Sequence, residues 1–251
     1  MKILVTFAVR AEFAPWQRRR NFLRLAGDLP VFEAAIGGAK IRAVLTGMGP
    51  ERAQETSRRA FAAYGPDICV STGLARALRD GYRAGDILAA RLVSEVGEPV
   101  AVASHRELLA TAVDCGARRI ERMATSKSLV MQSEKKRELG KQAEAVEMES
   151  YPILAEAARS GVPAVAIRAV SDAVDFDVPY DFDRARDARG QIRMLGVASQ
   201  ALLRPSGLPA LMKLASDSRT AANRLAHFLD AFVGTMADRL IPIEQDTVAA
   251  L

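Results

Sequence analysis

Histidine and cysteine are nearly missing from this 251-residue chain, which has two of each. His105, His227, Cys69 and Cys115 lie far apart and form no C-x-x-C or H-x-x-x-H pattern, so neither a metal site nor a disulfide framework is expected. Aromatic residues are scarce too, at 6%, with a single tryptophan. No run interleaves them with basic residues as a nucleic-acid stacking groove requires, so no nucleic-acid partner is expected. A run of about 18 apolar residues, enough to span a membrane, is absent. Met1-Lys2-Ile3-Leu4-Val5 leads straight into a strand-like segment, without the apolar region of a signal peptide. The expectation is a soluble cytoplasmic protein whose chemistry rests on carboxylates, arginines and backbone groups, with no cofactor.

What the chain has in quantity is arginine. Its 35 basic residues exceed its 30 acids, giving a formal charge of +5, and they are scattered rather than blocked. The longest run, Arg18-Arg19-Arg20, reads as a solvated helix face, with anion or membrane-surface contact as the alternative.

A chain of about 250 residues can bury roughly three quarters of its unfolded surface, so a substantial core is available. Short β-branched runs alternate with longer helical stretches, which predicts an α/β fold with a mixed, mostly parallel central sheet flanked by helices. Strands are expected at Ile3 to Phe7, at Val31 to Ala35 paired with Lys40 to Thr46 across Gly37-Gly38, and at Asp67 to Ser71 running on to Ala75. Further strands are expected at Asp86 to Val93, near Arg122 to Val130, at Glu144 to Met148 and at Ala164 to Val170. Helices are expected over Glu51 to Tyr64, and over Ile153 to Ser160 just after Pro152.

The chain divides into an α/β domain over residues 1–204 and an amphipathic helical tail over 205–251. In the tail, Ala221, Leu225, Phe228, Leu229, Phe232, Val233 and Met236 keep helical spacing, and Asp217-Ser218 supplies a candidate N-cap. The apolar face has two readings: packing on the body or on a second subunit, or contact with a lipid or greasy ligand.

Three segments at strand ends carry candidate chemistry. Glu12 falls at a helix entry just beyond the first strand, where ligand groups gather in open α/β sheets. Ala145-Val146-Glu147-Met148-Glu149-Ser150 sets two carboxylates around a methionine after an apolar strand. If extended, the segment puts Glu147 and Glu149 on one face and Met148 on the other. Ala164 to Asp172 is an apolar strand with Arg168 inside it and Asp172 at its end. An arginine there needs an anionic partner, which Glu12 or Glu149 could supply.

The succession of Glu12, Gly47-Met48-Gly49-Pro50, Ser71-Thr72-Gly73-Leu74-Ala75, Val146-Glu147-Met148-Glu149-Ser150 and Arg168-Ala169-Val170-Ser171-Asp172 resembles the nucleoside phosphorylase and nucleosidase superfamily. Within it the nearest likeness is to nucleosidases that cleave methylthioadenosine and S-adenosylhomocysteine. The tail, from Arg204-Pro205-Ser206-Gly207-Leu208-Pro209 onward, is similar to that of the hopanoid-associated phosphorylases, whose substrate is adenosylhopane. The resemblance implies cleavage of an N-glycosidic bond with release of adenine, homo-oligomers of the dimeric or hexameric kind, and a small-molecule nucleoside partner, lipid-linked if the tail is a guide. Peripheral contact with an anionic inner membrane is compatible with the basic exterior.

It also implies roles. Asp172 protonates or hydrogen-bonds the purine at N7, with a pKa raised by burial or by a neighbouring carboxylate. Glu12 activates the attacking water, and Arg168 positions both. Glu149 binds the ribose hydroxyls, Met148 packs against the sugar, and Glu147, Ser71, Thr72 and Gly73 complete the substrate surface. Leu129 and Val130 fall near the place where the family stacks on the base.

Two departures matter. Leu74-Ala75-Arg76-Ala77 replaces the nucleosidase Ser-Ala-Gly-Gly loop, and Arg76, if it faces the cleft, could hold phosphate and make the protein a phosphorylase. Against that, the phosphorylases' Gly-Asp-Pro segment is missing from Ala8 to Ala11, and a carboxylate at position 12 repels phosphate and suits water. Hydrolysis is the favoured reading, with a phosphorylase, a methylthioadenosine or S-adenosylhomocysteine nucleosidase, and a non-catalytic nucleotide-binding module as alternatives.

Overall fold

The computed structural model describes residues 1–177, 179, 180, 200 and 205–240. In chain order the elements are β1 (Lys2–Phe7), α1 (Arg10–Arg19), β2 (Leu23–Arg24), β3 (Val31–Ile36), β4 (Ala39–Leu45), α2 (Pro50–Tyr64), β5 (Ile68–Ala77) and β6 (Ile87–Glu95). There follow β7 (Ala101–Ala103), α3 (Arg106–Asp114), β8 (Arg118–Thr125), α4 (Ser133–Leu139), β9 (Ala145–Glu147), α5 (Ser150–Arg159), β10 (Ala164–Asp172) and α6 (Leu208–Leu240). The expected mixed α/β architecture is present, with a ten-stranded sheet covered by helices.

Both faces of the sheet are buried, so its inner strands read as continuous apolar runs. Along β1, Ile3, Val5 and Phe7 enter one core with Phe13 and Trp16 of α1, while Leu4 enters the other with Ala53, Ala60 and Phe61 of α2. The period of two that sends successive side chains to opposite faces is what links the two layers. Gly37 and Gly38, both at positive φ, make the tight turn between β3 and β4.

The sheet is not open along its whole length. β5 pairs with β1 through its first residues, with β10 along most of its length, and with β9 only through Arg76 and Ala77. β10 continues to β6, β6 to β8 and β8 to β9, so five strands close on themselves. β9 runs antiparallel to the far end of β5. Its carboxyl end therefore returns toward the middle of β5, at the level where β1 has just ended.

Three boundaries differ from expectation. β8 ends at Thr125 rather than continuing to Val130. α5 begins at Ser150, with Pro152 inside its first turn, where a missing N–H costs nothing because that group has no intrahelical partner. α6 begins at Leu208, so Asp217-Ser218 lies within the helix instead of capping it; its first turns are held by Leu211 and Leu214 against Met131 and Tyr180.

Ala221, Leu225, Phe228, Leu229, Phe232, Val233 and Met236 are buried in the same core as β1 and α1. Asp230 of α6 accepts from Trp16 Nε1 at 2.7 Å and from the Nε groups of Arg19 and Arg20 at 2.8 and 2.9 Å. The basic run Arg18 to Arg20 is exposed, with two of its members tied to this one carboxylate. The boundary expected at residue 204, and residues 241–251 of the tail, lie outside the described residues. Among those described, no helix is long and apolar enough to cross a membrane.

Candidate active site

The ends of β1, β4, β9 and β10 meet beside the middle of β5, and each delivers part of one polar cluster. Arg168, in the centre of the wholly buried β10, is completely enclosed. A guanidinium can be kept there only if its donors are satisfied and its charge is matched. Its Nη1 donates to Thr72 O at 2.8 Å, its Nε to Ser150 Oγ at 3.2 Å, and its Nη2 to Ser150 Oγ at 2.9 Å and Glu147 Oε2 at 2.5 Å. Glu149 Oε2 lies 3.7 Å from the same nitrogen.

The principal counter-ion is therefore Glu147, in place of the expected Glu12 or Glu149. Glu147 Oε2 also accepts from the backbone N–H groups of Glu149 and Ser150, both at 2.8 Å, and Oε1 accepts from Thr125 Oγ1. Glu147 thus holds Arg168 and the start of α5 through its own carboxylate. Glu147 and Glu149 do face the same arginine, but a turn brings them there. The strand ends at Glu147, and Glu149 leaves extended geometry with φ −134° and ψ −22° as it enters α5.

Glu12 sits in the first turn of α1, where the helix dipole favours a carboxylate. Its Oε2 accepts from the backbone N–H of Ala8 at 3.0 Å, and its Oε1 reaches across to that of Leu74 at 3.0 Å. Glu12 and Arg168 close on Gly73 from two sides. A Cβ on Gly73, whose φ is +143°, would come within contact of Arg168 Nη1 and 2.9 Å from Glu12 Oε2. Burial raises the Glu12 pKa above the ordinary carboxylate value, opposed by Arg168 and the backbone donors.

Glu149 Oε1 accepts from Gly49 N–H at 2.9 Å, which ties it to the loop between β4 and α2. Its pKa is pushed up to about 8 by burial, with Arg168 opposing and the carboxylates of Glu147 and Glu12 reinforcing the rise. The rise favours the protonated form, which can donate as well as accept.

Asp172 occupies a different electrostatic setting. It is 1% exposed, and the charged groups beside it are cations. Lys136 Nζ donates to Oδ2 at 2.5 Å, Arg76 Nε lies 3.5 Å from Oδ1, and Ser171 Oγ is 2.6 Å from Oδ1. Arg76 thus flanks Asp172 at the end of β5, two residues beyond the N–H that holds Glu12. Lys136 was not singled out from sequence: in Ser133-Glu134-Lys135-Lys136-Arg137 it has the look of one more surface cation.

The other expected residues separate into two groups. Ser71 and Thr72 are buried and build the socket for Arg168, Ser71 through its hydroxyl and Thr72 through its carbonyl. Among the described residues, Thr72 Oγ1 and Arg76 Nε are buried without a hydrogen-bond partner. Met148 is buried between the two glutamates. Val130 is enclosed in a core cluster with Leu78, Ala124, Ala143 and Val146, so its side chain packs inward. Leu129 is partly buried against Met131, Tyr180 and Phe176. The end of β8 at Thr125 is the reason: residues that would have alternated along a strand lie in the approach to α4. Among the described residues, no group of three or more histidine, cysteine, aspartate or glutamate side chains could hold a metal ion.

Fold and site together define an α/β protein with two buried charge clusters on β5 and β10, carboxylates around an arginine in one and cations around an aspartate in the other. The sequence pattern of the phosphorylase superfamily matches residues 8–203, and the chain belongs to that family. No curated protein matches it in sequence. Among solved structures, a futalosine hydrolase mutant of Helicobacter pylori strain 26695 is similar, with a TM-score of 0.73, 18% identity, and coverage of 94% of this chain and 99% of that one. A mutant of the Helicobacter pylori nucleosidase MTAN with 5′-methylthioadenosine in its active site gives a TM-score of 0.72 at 18% identity, covering 93% and 98%. The 5′-methylthioadenosine/S-adenosyl homocysteine nucleosidase of Campylobacter jejuni gives 0.72 at 16%, covering 94% and 99%. At these identities the likeness is one of fold.

Proposed function

We propose that this protein hydrolyses the N-glycosidic bond of a 5′-modified adenosine and releases adenine, with adenosylhopane as the favoured substrate. The observation that carries the reading is the opposite charge of the two clusters. Three carboxylates surround one guanidinium in the first, and two cations flank one carboxylate in the second. Breaking this bond develops positive charge on the ribose and negative charge on the leaving base, and preorganised charges of opposite sign stabilise both.

In this scheme water attacks the anomeric carbon and passes a proton to Glu12, a stronger base than an ordinary carboxylate because burial raises its pKa. The bonding electrons leave with the adenine, which takes a proton at N7 from Asp172; the carboxylate so formed lies beside Lys136 and Arg76, and the proton taken up by Glu12 balances the one Asp172 gives. Glu149, in its protonated form, meets the ribose hydroxyls. Arg168 stands behind the acidic end and fixes it through Glu147.

Hydrolysis is favoured over phosphorolysis because Arg76, the residue that could have held phosphate, stands at the base end, with Nε 3.5 Å from Asp172 Oδ1, and not beside Glu12. Two residues of β5, about 7 Å, separate its position from the N–H that anchors Glu12. The lipid-linked substrate is supported by the tail sequence. Leu208 and Met212, exposed one turn apart at the start of α6, add an apolar surface. The test is adenine release from 5′-methylthioadenosine, S-adenosylhomocysteine and adenosylhopane in detergent, with and without phosphate. Free pentose formed without phosphate supports hydrolysis, a pentose 1-phosphate formed only with it supports the phosphorylase, and no release from any of the three refutes the proposal.

A further inference from the structure

The ammonium group of Lys136 is a cation with no access to solvent: its side chain is 0% exposed, and so is nearly all of the Asp172 carboxylate it meets. Its three donors have three acceptors, Asp172 Oδ2 at 2.5 Å, Ala173 O at 2.9 Å and Phe176 O at 2.8 Å. A saturated ammonium has no proton left for a ligand, so whatever it does for the reaction passes through those partners. The helix that carries it is fixed to the same segment a second time, since Asp177 accepts from Ser133 N–H at 2.5 Å and from Ser133 Oγ at 2.9 Å.

Fastening a helix does not require such a group. A buried ammonium costs desolvation that an apolar side chain of similar volume avoids, and ion pairs of this kind are weak devices for stability. What the lysine adds is charge and direction on one oxygen of one carboxylate. Burial pushes the Lys136 pKa down and Arg76 acts the same way, while Asp172 and Asp177 oppose them.

On the reading of the site as a nucleosidase, we propose that Lys136 is the positioning residue of the leaving-group end: it fixes the plane of the Asp172 carboxylate through Oδ2 and balances its charge, so that Oδ1 meets the departing base. An unbalanced carboxylate would repel a base that is becoming negative. With Lys136 and Arg76 both beside it, this end of the site stays net positive as the bond breaks. The ribose end lies further back along the same strands, β5 and β10, and none of the three hydrogen bonds of the Lys136 ammonium reaches it, so the loss of Lys136 should fall on turnover and not on substrate binding.

The test compares the full-length wild type with K136M, K136R, D172N and the double variant D172N/K136M, reading adenine release from 5′-methylthioadenosine and from adenosylhopane in detergent across pH. Lys136→Met should lower kcat by at least about 100-fold, the scale of a lost preorganised charge at a reacting centre, and hold KM within about threefold. The pH profile of kcat should move, because the main charge facing Asp172 has gone, whereas a purely structural role changes the amount of folded protein and leaves the profile in place. Lys136→Arg should recover part of the loss. In the Asp172→Asn background, adding Lys136→Met should cost less than about twofold more, since coupled residues do not add. That double variant, neutral at both positions, also keeps the comparison open if Lys136→Met alone fails to fold. Wild-type kcat and pH profile in Lys136→Met, or losses that multiply in the double variant, would overturn the assignment to Lys136 while leaving the nucleosidase reading intact. A wild type that releases adenine from neither substrate would overturn both.

Discussion

Replacing Gly73 with alanine strikes the site at the point where its two halves touch. The added Cβ would meet Arg168 Nη1 inside van der Waals contact and Glu12 Oε2 at 2.9 Å, on a backbone with φ +143°. Holding a non-glycine residue in such a conformation costs about 1–3 kcal/mol. To make room the guanidinium must withdraw by about 1 Å, which breaks its bond to Thr72 O, 2.8 Å in the native arrangement; losing a buried hydrogen bond to a charged group costs about 1.5–3 kcal/mol. The sum, about 2.5–6 kcal/mol, is a large part of the roughly 5–15 kcal/mol that keeps a typical domain folded. Urea unfolding can follow it through the chain's single tryptophan, Trp16, which is completely buried. In the fraction that folds, a displacement of that size should lower adenine release by about 100-fold. An unchanged unfolding midpoint together with near wild-type release would refute the convergence of Glu12 and Arg168 on Gly73.

Four other substitutions probe separate parts of the structure. Glu149 has a folded pKa of about 8 against an ordinary 4.5, so the native state holds its proton over a range in which the unfolded chain has lost it. Stability should therefore fall as pH rises from the ordinary carboxylate range to about 8 and then level off, with Glu12 acting in the same direction, and denaturant titrations of Glu149→Gln should show a flatter slope. Glu12→Gln should reduce turnover by about 10²- to 10⁴-fold and cost about 1–3 kcal/mol of stability by thermal melting, because the amide nitrogen would face a backbone N–H that a carboxylate oxygen accepts from. Asp230→Ala leaves Trp16 Nε1, Arg19 and Arg20 without their shared acceptor and should cost about 1–3 kcal/mol by thermal melting. Leu225→Ala, at a completely buried position of α6, should cost about 2–5 kcal/mol in urea, as for a residue of the main core; a negligible change would mark the helix as an appendage.

The sheet was legible in the sequence because its strands are buried on both faces: runs such as Ile3 to Phe7 and Ala164 to Val170 have no other physical explanation at that length. Arg168 was legible for the complementary reason, a charge set where charge is costly. Its partner was not. Glu147 and Glu149 are equivalent in a linear pattern of alternating residues, and the turn that aims one at the arginine and the other at Gly49 N–H is set by the start of α5. Lys136 left no signal at all, because a short charged helix looks the same whether it faces water or a buried aspartate 36 residues away. The tail helix was visible through its apolar spacing, but its true start was not. Asp217-Ser218 is a good capping pair, overridden by burial of Leu211 and Leu214 one to two turns earlier.

The closure of five strands through β9 has a consequence for the order of events in folding. Thr72 and Arg168 are 96 residues apart in the chain, and Gly49 and Glu149 are 100 apart. Contacts of that separation incur their loop-closure entropy before they return any stabilisation, so they are among the slowest to form. A ribosome must therefore have made β10 before Glu12, Glu147 and Glu149 acquire the guanidinium that makes their burial tolerable. Until then the three carboxylates remain in water, and the site forms only when both halves of the chain are in place.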